Sequence, residues 1–263
     1  MTGLYPNISH AEYHGIEAVS NSYLTKINHC PASAKIDQED TPALIFGSAF
    51  HALVLEGQEA FDNRFVVAPE INRRTKAGQA EYAEFCTQNE GKAVIGKDDY
   101  NLMIDMLNAV IRHPFACRVL SEGRSEMSVF WEDEETGIYC KCRPDRVPDG
   151  DYGVIVDVKT TISAKQKAFE NSCIKYGYDR QAAMYLDGYN AATKSNVDSF
   201  IFIAVEKTVP FMVGCYAISE TDIAVGRIKY QELMKKELGY RERNEWPHYE
   251  DEGLVEMNLP NRW

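Results

Sequence analysis

Apolar positions in the first third of the chain recur with a helical period. Ser20 is placed to cap a short helix through Leu24 and Ile27, and Pro31 stands where a following helix would begin. Residues 47–56 (Gly-Ser-Ala-Phe-His-Ala-Leu-Val-Leu-Glu) predict a third helix in which Gly47, His51 and Leu55 share a face, the glycine leaving room beside the imidazole. Residues 69–78 read as a basic loop leading into a helix over about 79–88. A further amphipathic helix spans about 98–112, its stripe made by Leu102, Met106, Leu107, Val110 and Ile111.

The period then changes to two. Residues 126–132 alternate, with Met127, Val129 and Trp131 against Ser128 and Phe130, and a turn-like stretch follows at 133–137. Residues 138–147 alternate again, and 154–159 form a short Val/Ile-rich run. Three consecutive strands on short connections predict an antiparallel meander. Helices over about 163–173 and 179–192, strands over 199–205 and 212–218, and a long helix from Glu220 to about Glu242 complete the order. The pattern is that of an α/β fold with a central mixed sheet and flanking helices.

Composition narrows the class. The 263 residues are 44% hydrophobic, 26% charged and 11% aromatic, an ordinary soluble globular make-up with room for a substantial core, and not that of a disordered, collagenous or coiled-coil chain. No repeat, low-complexity tract or linker interrupts it, so one domain with appendages is the default. No stretch approaches the roughly 20 apolar residues of a membrane span, and residues 1–6 have neither a basic nor an apolar leader region, which reads as cytoplasmic. Seven cysteines (Cys30, Cys86, Cys117, Cys140, Cys142, Cys173 and Cys215) are odd in number and scattered, as expected of reduced thiols. Cys140 and Cys142 fall on one strand face and read as core thiols rather than metal ligands. With 28 basic against 40 acidic residues the formal net charge is −12, which disfavours a polyanionic partner overall but permits a basic groove on an acidic body.

The candidate chemistry lies in the middle strands. Tyr139, Lys141, Arg143 and Asp145 share one face of the second strand; on the third, Ile155, Asp157 and Lys159 oppose Val154, Val156 and Val158. Eleven residues separate Asp145 from Asp157, room for a hairpin turn through Pro148-Asp149-Gly150. If the polar faces coincide, two carboxylates and an ammonium converge. Asp145, Asp157 and the backbone carbonyl of Val158 would offer the hard oxygen ligands that Mg²⁺ or Mn²⁺ takes. Lys159 could then orient or deprotonate a water, or stabilise charge at phosphorus, the requirements of metal-assisted phosphodiester hydrolysis. Glu90-Gly91-Lys92 has the same acid-x-Lys spacing but lacks the apolar strand context. Glu126, opening the first strand, is either a further carboxylate of the site or a solvated side chain. Arg73, Arg74 and Lys76 form the densest basic cluster, suited to a phosphate backbone or to plain solvation. His51, taken alone, is more often a satisfied core histidine than a ligand.

Cys142-Arg143-Pro144-Asp145, followed by Ile155-Val156-Asp157-Val158-Lys159-Thr160-Thr161, resembles the PD-(D/E)XK nuclease superfamily, and specifically the exonuclease VIII or RecE-type phage recombination nucleases of its RecB-like branch. The likeness extends to Gly47-Ser48-Ala49-Phe50-His51-Ala52-Leu53, Asn72-Arg73-Arg74-Thr75, the stretch from Ser125 to Trp131, and Gln181-Ala182-Ala183-Met184-Tyr185, so that motifs in family order span roughly residues 20–205. It implies a restriction-endonuclease-like core in a single nuclease domain, with a helical N-terminal part (1–120), the core at about 121–220, and a C-terminal helix and tail (220–263). It further implies an ATP-independent, Mg²⁺-dependent exonuclease with two ions per site, digesting linear double-stranded DNA from 5′ ends to leave 3′ single strands. Relatives act as ring-shaped homo-oligomers, here a tetramer in preference to a trimer, beside a RecT-type single-strand annealing protein in a bacterial host carrying the phage or prophage.

By the same resemblance Asp145 and Asp157 bind metal with His51 as a further ligand, and Lys159 positions the attacking water. Gln181 and Tyr185 face the DNA near the scissile phosphate; apart from that carry-over, the basic cluster of Arg73, Arg74 and Lys76, together with Thr160, makes up the candidate DNA contacts. Some RecB-like relatives hold an iron–sulfur cluster by one N-terminal and three C-terminal cysteines. Cys30-Pro31 resembles the first half of that arrangement, but no cysteine follows Cys215, so no cluster is expected; no Walker motif is present either. The alternatives are a RecB- or Cas4-like single-strand nuclease or endonuclease, a catalytically silent DNA-end binding protein of the same fold, and a metal-binding protein with a fortuitous motif.

Overall fold

The computed structural model describes residues 2–6, 8–36, 41–149, 153–249 and 256. The chain opens with β1 (Gly3–Tyr5) and a short helix, α1 (His10–Gly15), started by a Ser9/Glu12 capping box. Ser20 caps α2 (Asn21–His29), its Oγ accepting from the Tyr23 N–H at 3.2 Å. Pro31 begins a 3₁₀ turn (Pro31–Lys35) and not a full helix. The helix carrying His51 starts earlier than its apolar pattern suggests: α3 runs Pro42–His51 with Thr41 as cap, and a π-helical turn, Ala52–Glu56, finishes it. There follow α4 (Gln58–Arg64), β2 (Phe65–Val67), α5 (Lys76–Gln88), β3 (Ala93–Ile95), α6 (Lys97–Arg112) and α7 (Pro114–Ser121). The three-residue strands and the shortest helices hold too few periods to show in a sequence pattern.

The centre departs from the expected meander. Its elements are β4 (Arg124–Ser125), β5 (Ser128–Glu132), β6 (Tyr139–Cys142), β7 (Arg146–Val147) and β8 (Val154–Thr161), then α8 (Gln166–Tyr176), α9 (Tyr178–Thr193), β9 (Ser199–Glu206), β10 (Val213–Ala217) and α10 (Glu220–Arg243). The expected first strand is cut at Glu126, whose φ of 51° no strand residue adopts, and the second at Pro144, which has no N–H to give a ladder. Consequently β5 and β6 join β1 in a three-stranded antiparallel sheet, while β4 and β7 belong to a five-stranded sheet ordered β10-β9-β8-β7-β4. Its β8–β9 pair is parallel and its other pairs antiparallel, the mixed sheet that the alternation of strands and helices implies. Glu126 and Asp145 therefore sit at the two crossings between sheets, and Asp145 does not end a strand face. Gly150 of the expected turn, and the tail from residue 250 apart from Glu256, lie outside the described residues.

The alternation along β8 holds. Ile155 packs into a core with Leu24, Ala182, Met184, Phe200 and Leu233, whereas Val156 and Val158 pack into another with Phe50, Met103, Met106, Val110 and Ile203. The sheet centre is thus covered on both faces, by α2, α9 and α10 on one side and by α3 and α6 on the other. Buried charges pin the periphery. The Lys141 ammonium donates to the carbonyls of Tyr13 and Ile16, each at 2.7 Å, closing the end of α1. Glu237, fully buried on α10, accepts from Tyr23 Oη (3.0 Å), Arg241 Nε (2.7 Å) and Trp246 Nε1 (3.0 Å).

α9 and α10 pack tightly at Gly226, where a Cβ would fall 2.2 Å from the Asp179 carbonyl oxygen. Gly226→Ala would gain about 1 kcal/mol in helix propensity. Crowding fixed backbone belongs at the upper end of the roughly 1–3 kcal/mol that overpacking costs. Urea unfolding of Gly226→Ala is therefore expected to show a net loss of about 2 kcal/mol with an unchanged m-value; native-like stability would mean that α10 slides freely on α9.

Candidate active site

The site forms where β7 runs out. It reaches β8 through the single pair Arg146–Val156, so the backbone of Val158, two residues on and facing the same edge, lies beyond that pairing. Side chains take it instead. Asp145 Oδ2 accepts the Val158 N–H at 2.6 Å, and His51 Nε2 lies 2.9 Å from the Val158 carbonyl oxygen. A carboxylate delivered by the Pro144 break and an imidazole at the end of α3 close the ladder where a strand residue would.

His51 Nδ1 is 3.6 Å from Asp145 Oδ1, and Glu126 completes the group: one donor atom from each of His51, Glu126 and Asp145 lies within 4.8 Å of the others. With Nε2 donating to the Val158 carbonyl, the other ring nitrogen, Nδ1, is the one turned towards Asp145 Oδ1. Burial, reinforced by the Asp157 charge and opposed by His51, pushes Asp145 up to about 6. Burial and then the Asp145 charge push Glu126 up to about 7. The left-handed backbone at Glu126 is uncommon for a side chain of this size and aims its carboxyl at the group.

Asp157 faces α9. Gln181 Nε2 donates to its Oδ1 at 2.6 Å, and Lys159 Nζ lies 2.5 Å from Oδ2, an oxygen with no well-aligned hydrogen bond. Burial works against the Lys159 ammonium, but the charges of Asp157 and Asp145 outweigh it and hold the lysine above its ordinary value. The Tyr178 ring lies beneath that ammonium, 4.7 Å from centroid to Nζ.

The donors suit a small divalent cation. An imidazole nitrogen, two carboxylates and a carbonyl form a mixed hard and borderline set. A cation that replaced the Nε2 proton would find that nitrogen and the Val158 oxygen 2.9 Å apart, close to the roughly 3 Å between adjacent donors of an octahedral shell with bonds of about 2.1 Å.

Residues 20–255 match a family described as a PDDEXK-like domain of unknown function (DUF3799). The chain belongs to this family. Among solved structures it is similar to a presumed exonuclease from Eubacterium rectale, at 14% identity over 97% of this chain and 94% of that one with a TM-score of 0.62, a likeness of fold. An alkaline exonuclease from Laribacter hongkongensis, at 12% identity over 86% of this chain and 92% of that one, has a TM-score of 0.25 and aligns too loosely to bear on the fold. No curated protein matches the chain by sequence.

In this PDDEXK-like chain the remaining residues singled out by sequence are placed as follows. Gln181 is 6% exposed and turned onto Asp157. Tyr185, one turn further along α9, is half-buried with its ring edge-on to Phe200, and burial pushes its hydroxyl well above the usual value. Thr160 is half-buried on β8, opposite Val205. Arg73, Arg74 and Lys76 are exposed, but Lys76 is the first residue of α5 and not part of a loop; the Arg73 guanidinium stacks 4.0 Å over the Tyr82 ring. The loop before α5 is pressed onto Gly78, where a Cβ would sit 2.1 Å from the Asn72 carbonyl oxygen. The structure thus brings together His51, Glu126, Asp145, Asp157, Val158, Lys159 and Gln181, with the basic cluster on a separate element. Sequence reasoning missed Tyr178, although its place one helical turn before Gln181 is a usable signal, and it missed the Val158 N–H as the anchor of Asp145.

An acid whose native pKa is raised keeps its proton after the unfolded chain has lost it. Between about pH 4, where unfolded carboxyls titrate, and about 7, the value for Glu126, the native state binds more protons, so stability falls as pH rises through that window. The cation-free protein is expected to melt lower at about pH 8 than at about pH 5.5, and Glu126→Gln to flatten that slope and raise the melting temperature at the higher pH. Identical melting of the native chain and Glu126→Gln at both pH values would contradict the assignment.

Proposed function

We propose that the chain is an ATP-independent, divalent-cation-dependent exodeoxyribonuclease that digests linear double-stranded DNA from 5′ ends and leaves 3′ single strands for annealing. One observation carries the reading: Asp145 and His51 meet on the backbone of Val158 at the stretch of β8 left open by β7, and the paired Asp157 and Lys159 flank that residue on the same strand. Membership of a PDDEXK-like family and the fold shared with a presumed exonuclease support it. The 5′ polarity, the ring-shaped homo-oligomer and the RecT-type annealing partner rest on the resemblance of the motifs to RecE-type nucleases.

Asp145, Asp157, His51, the Val158 carbonyl and Glu126 are the groups to hold cations. Mg²⁺, two ions per site with Mn²⁺ as substitute, would supply polarisation of the scissile phosphate and a lowered pKa for the attacking water. Lys159 contributes a fixed positive charge and orients the water, which is electrostatic preorganisation. Gln181 donates to one oxygen of Asp157, Oδ1, and leaves Oδ2 to Lys159, and Tyr185 flanks the site from the same helix. Arg73, Arg74, Lys76 and Thr160 are assigned to the DNA backbone, with Arg73 kept extended by Tyr82.

The test is an ATP-free digestion of linear and closed circular duplex with Mg²⁺ or EDTA, each end separately labelled. Nucleotide release from linear 5′ ends is expected, abolished by EDTA and reduced at least about 100-fold in Asp157→Ala and Lys159→Ala. Digestion confined to single strands would favour the RecB- or Cas4-like alternative, and no cation-dependent cleavage of any DNA would leave a silent DNA-end binding protein. In a binding titration, Arg74→Ala is expected to weaken duplex affinity regardless of sequence and to lower the salt slope by about one ion. An unchanged slope would remove Arg74 from the interface.

A further inference from the structure

Lys159 is held from two sides, by Asp157 Oδ2 at 2.5 Å and by the Tyr178 ring at 4.7 Å. The first hold is conditional. An Asp157 carboxylate that turns to a cation weakens its grip on the ammonium, because two positive charges then compete for the same oxygen. A lysine on a flexible four-carbon stem, freed at the moment its charge is needed, would lose its aim.

The second hold does not depend on the cation. The Tyr178 ring is stacked on Phe202 (5.6 Å between centroids, 29° between planes) and wedged against Phe169 and Tyr176 at 6.1 and 5.7 Å. Its backbone is equally fixed, since Tyr178 opens α9 directly after Gly177, which takes a left-handed φ of 66°. One turn on, Gln181 holds the other oxygen of Asp157. The first turn of α9 therefore grips both partners of the Asp157–Lys159 pair, one by a hydrogen bond and one by an aromatic face.

We propose that Tyr178 is a positioning residue whose ring keeps the Lys159 ammonium aimed at the reaction centre after Asp157 has turned to a cation. Its kinetic consequence rests on the nuclease reading, and its structural consequence on the geometry alone. The ring and not the hydroxyl makes the contact, so phenylalanine should replace tyrosine and an aliphatic residue should not.

The experiment uses the full chain with Tyr178→Phe and Tyr178→Leu, and Tyr178→Met if the leucine variant does not fold. In side-chain NMR spectra the Lys159 Cε protons, assigned by their loss in Lys159→Arg, are expected to be shifted upfield by the ring, with and without Mg²⁺, in the native chain and Tyr178→Phe. They are expected to return to the ordinary lysine position in the aliphatic variant. An unshifted signal in the Mg²⁺-loaded native chain, or a signal unchanged by the aliphatic substitution, overturns the proposal whatever the chain does to DNA. In the digestion assay the aliphatic variant is expected to lower kcat about ten-fold with KM within about two-fold, and Tyr178→Phe to keep the native kcat. Equal loss in both variants, or no loss in the aliphatic one, also overturns it. A native chain that cleaves nothing overturns the nuclease reading instead, and the NMR comparison still decides whether Tyr178 holds Lys159.

Discussion

The peptide unit of Val158 presents its N–H and carbonyl to an edge of β8 beyond the reach of β7, and Asp145 and His51 take both. Val158 is fully buried, and a buried amide left without a partner costs about 1–3 kcal/mol. The backbone therefore needs these two side chains for reasons that have nothing to do with chemistry. Their positions are settled by folding, and a cation entering the site finds them already in place. Pro144 makes the arrangement possible, because a chain that cannot continue the ladder turns aside and leaves the next side chain, not the next peptide, facing β8.

The same placement carries an electrostatic cost. Three carboxylates, from Glu126, Asp145 and Asp157, stand close together with one lysine and one histidine, and burial raises the first two. The fold meets this by making the carboxylates unequal. Asp157 is given a full cation in Lys159 and a neutral donor in Gln181, whereas Asp145 and Glu126 depend on a histidine and on protons that a metal can displace. The net charge of −12 over the chain makes the local balance more important, since the exterior offers little positive field to attract or retain a polyanion.

Legibility in the sequence followed the range of the interaction. The face assignment along β8 needs only a period of two, and it placed Ile155 and Val156 in opposite cores correctly. The caps at Ser20 and Thr41 are local in the same sense, but only Ser20 precedes a clear apolar period; the α3 start at Pro42 was hidden because its first turn is partly exposed. The split of the second strand was readable in principle from Pro144 inside an alternating run, and the alternation on either side concealed it. That Asp145 would cap Val158, that His51 would meet the same peptide, and that Glu126 would adopt a left-handed backbone all depend on which strands share a sheet. No pattern within a dozen residues contains that information.

Because the site lies on the stretch of the central strand β8 that β7 leaves open, its groups arrive from three layers. His51 comes from α3 on one face, Gln181 and Tyr178 from α9 on the other, and Asp145, Asp157 and Lys159 from the sheet and the crossing beside it. The two helical layers belong to different hydrophobic cores, and β8, β9 and β10 contribute side chains to both. A cation held here by His51 and the carboxylates would tie α3 to the sheet and relieve the repulsion that burial imposes on Asp145 and Glu126. Its binding energy is then partly folding energy, added where the two cores join. The electrostatic strain on Asp145 and Glu126 stands where a ligand can remove it.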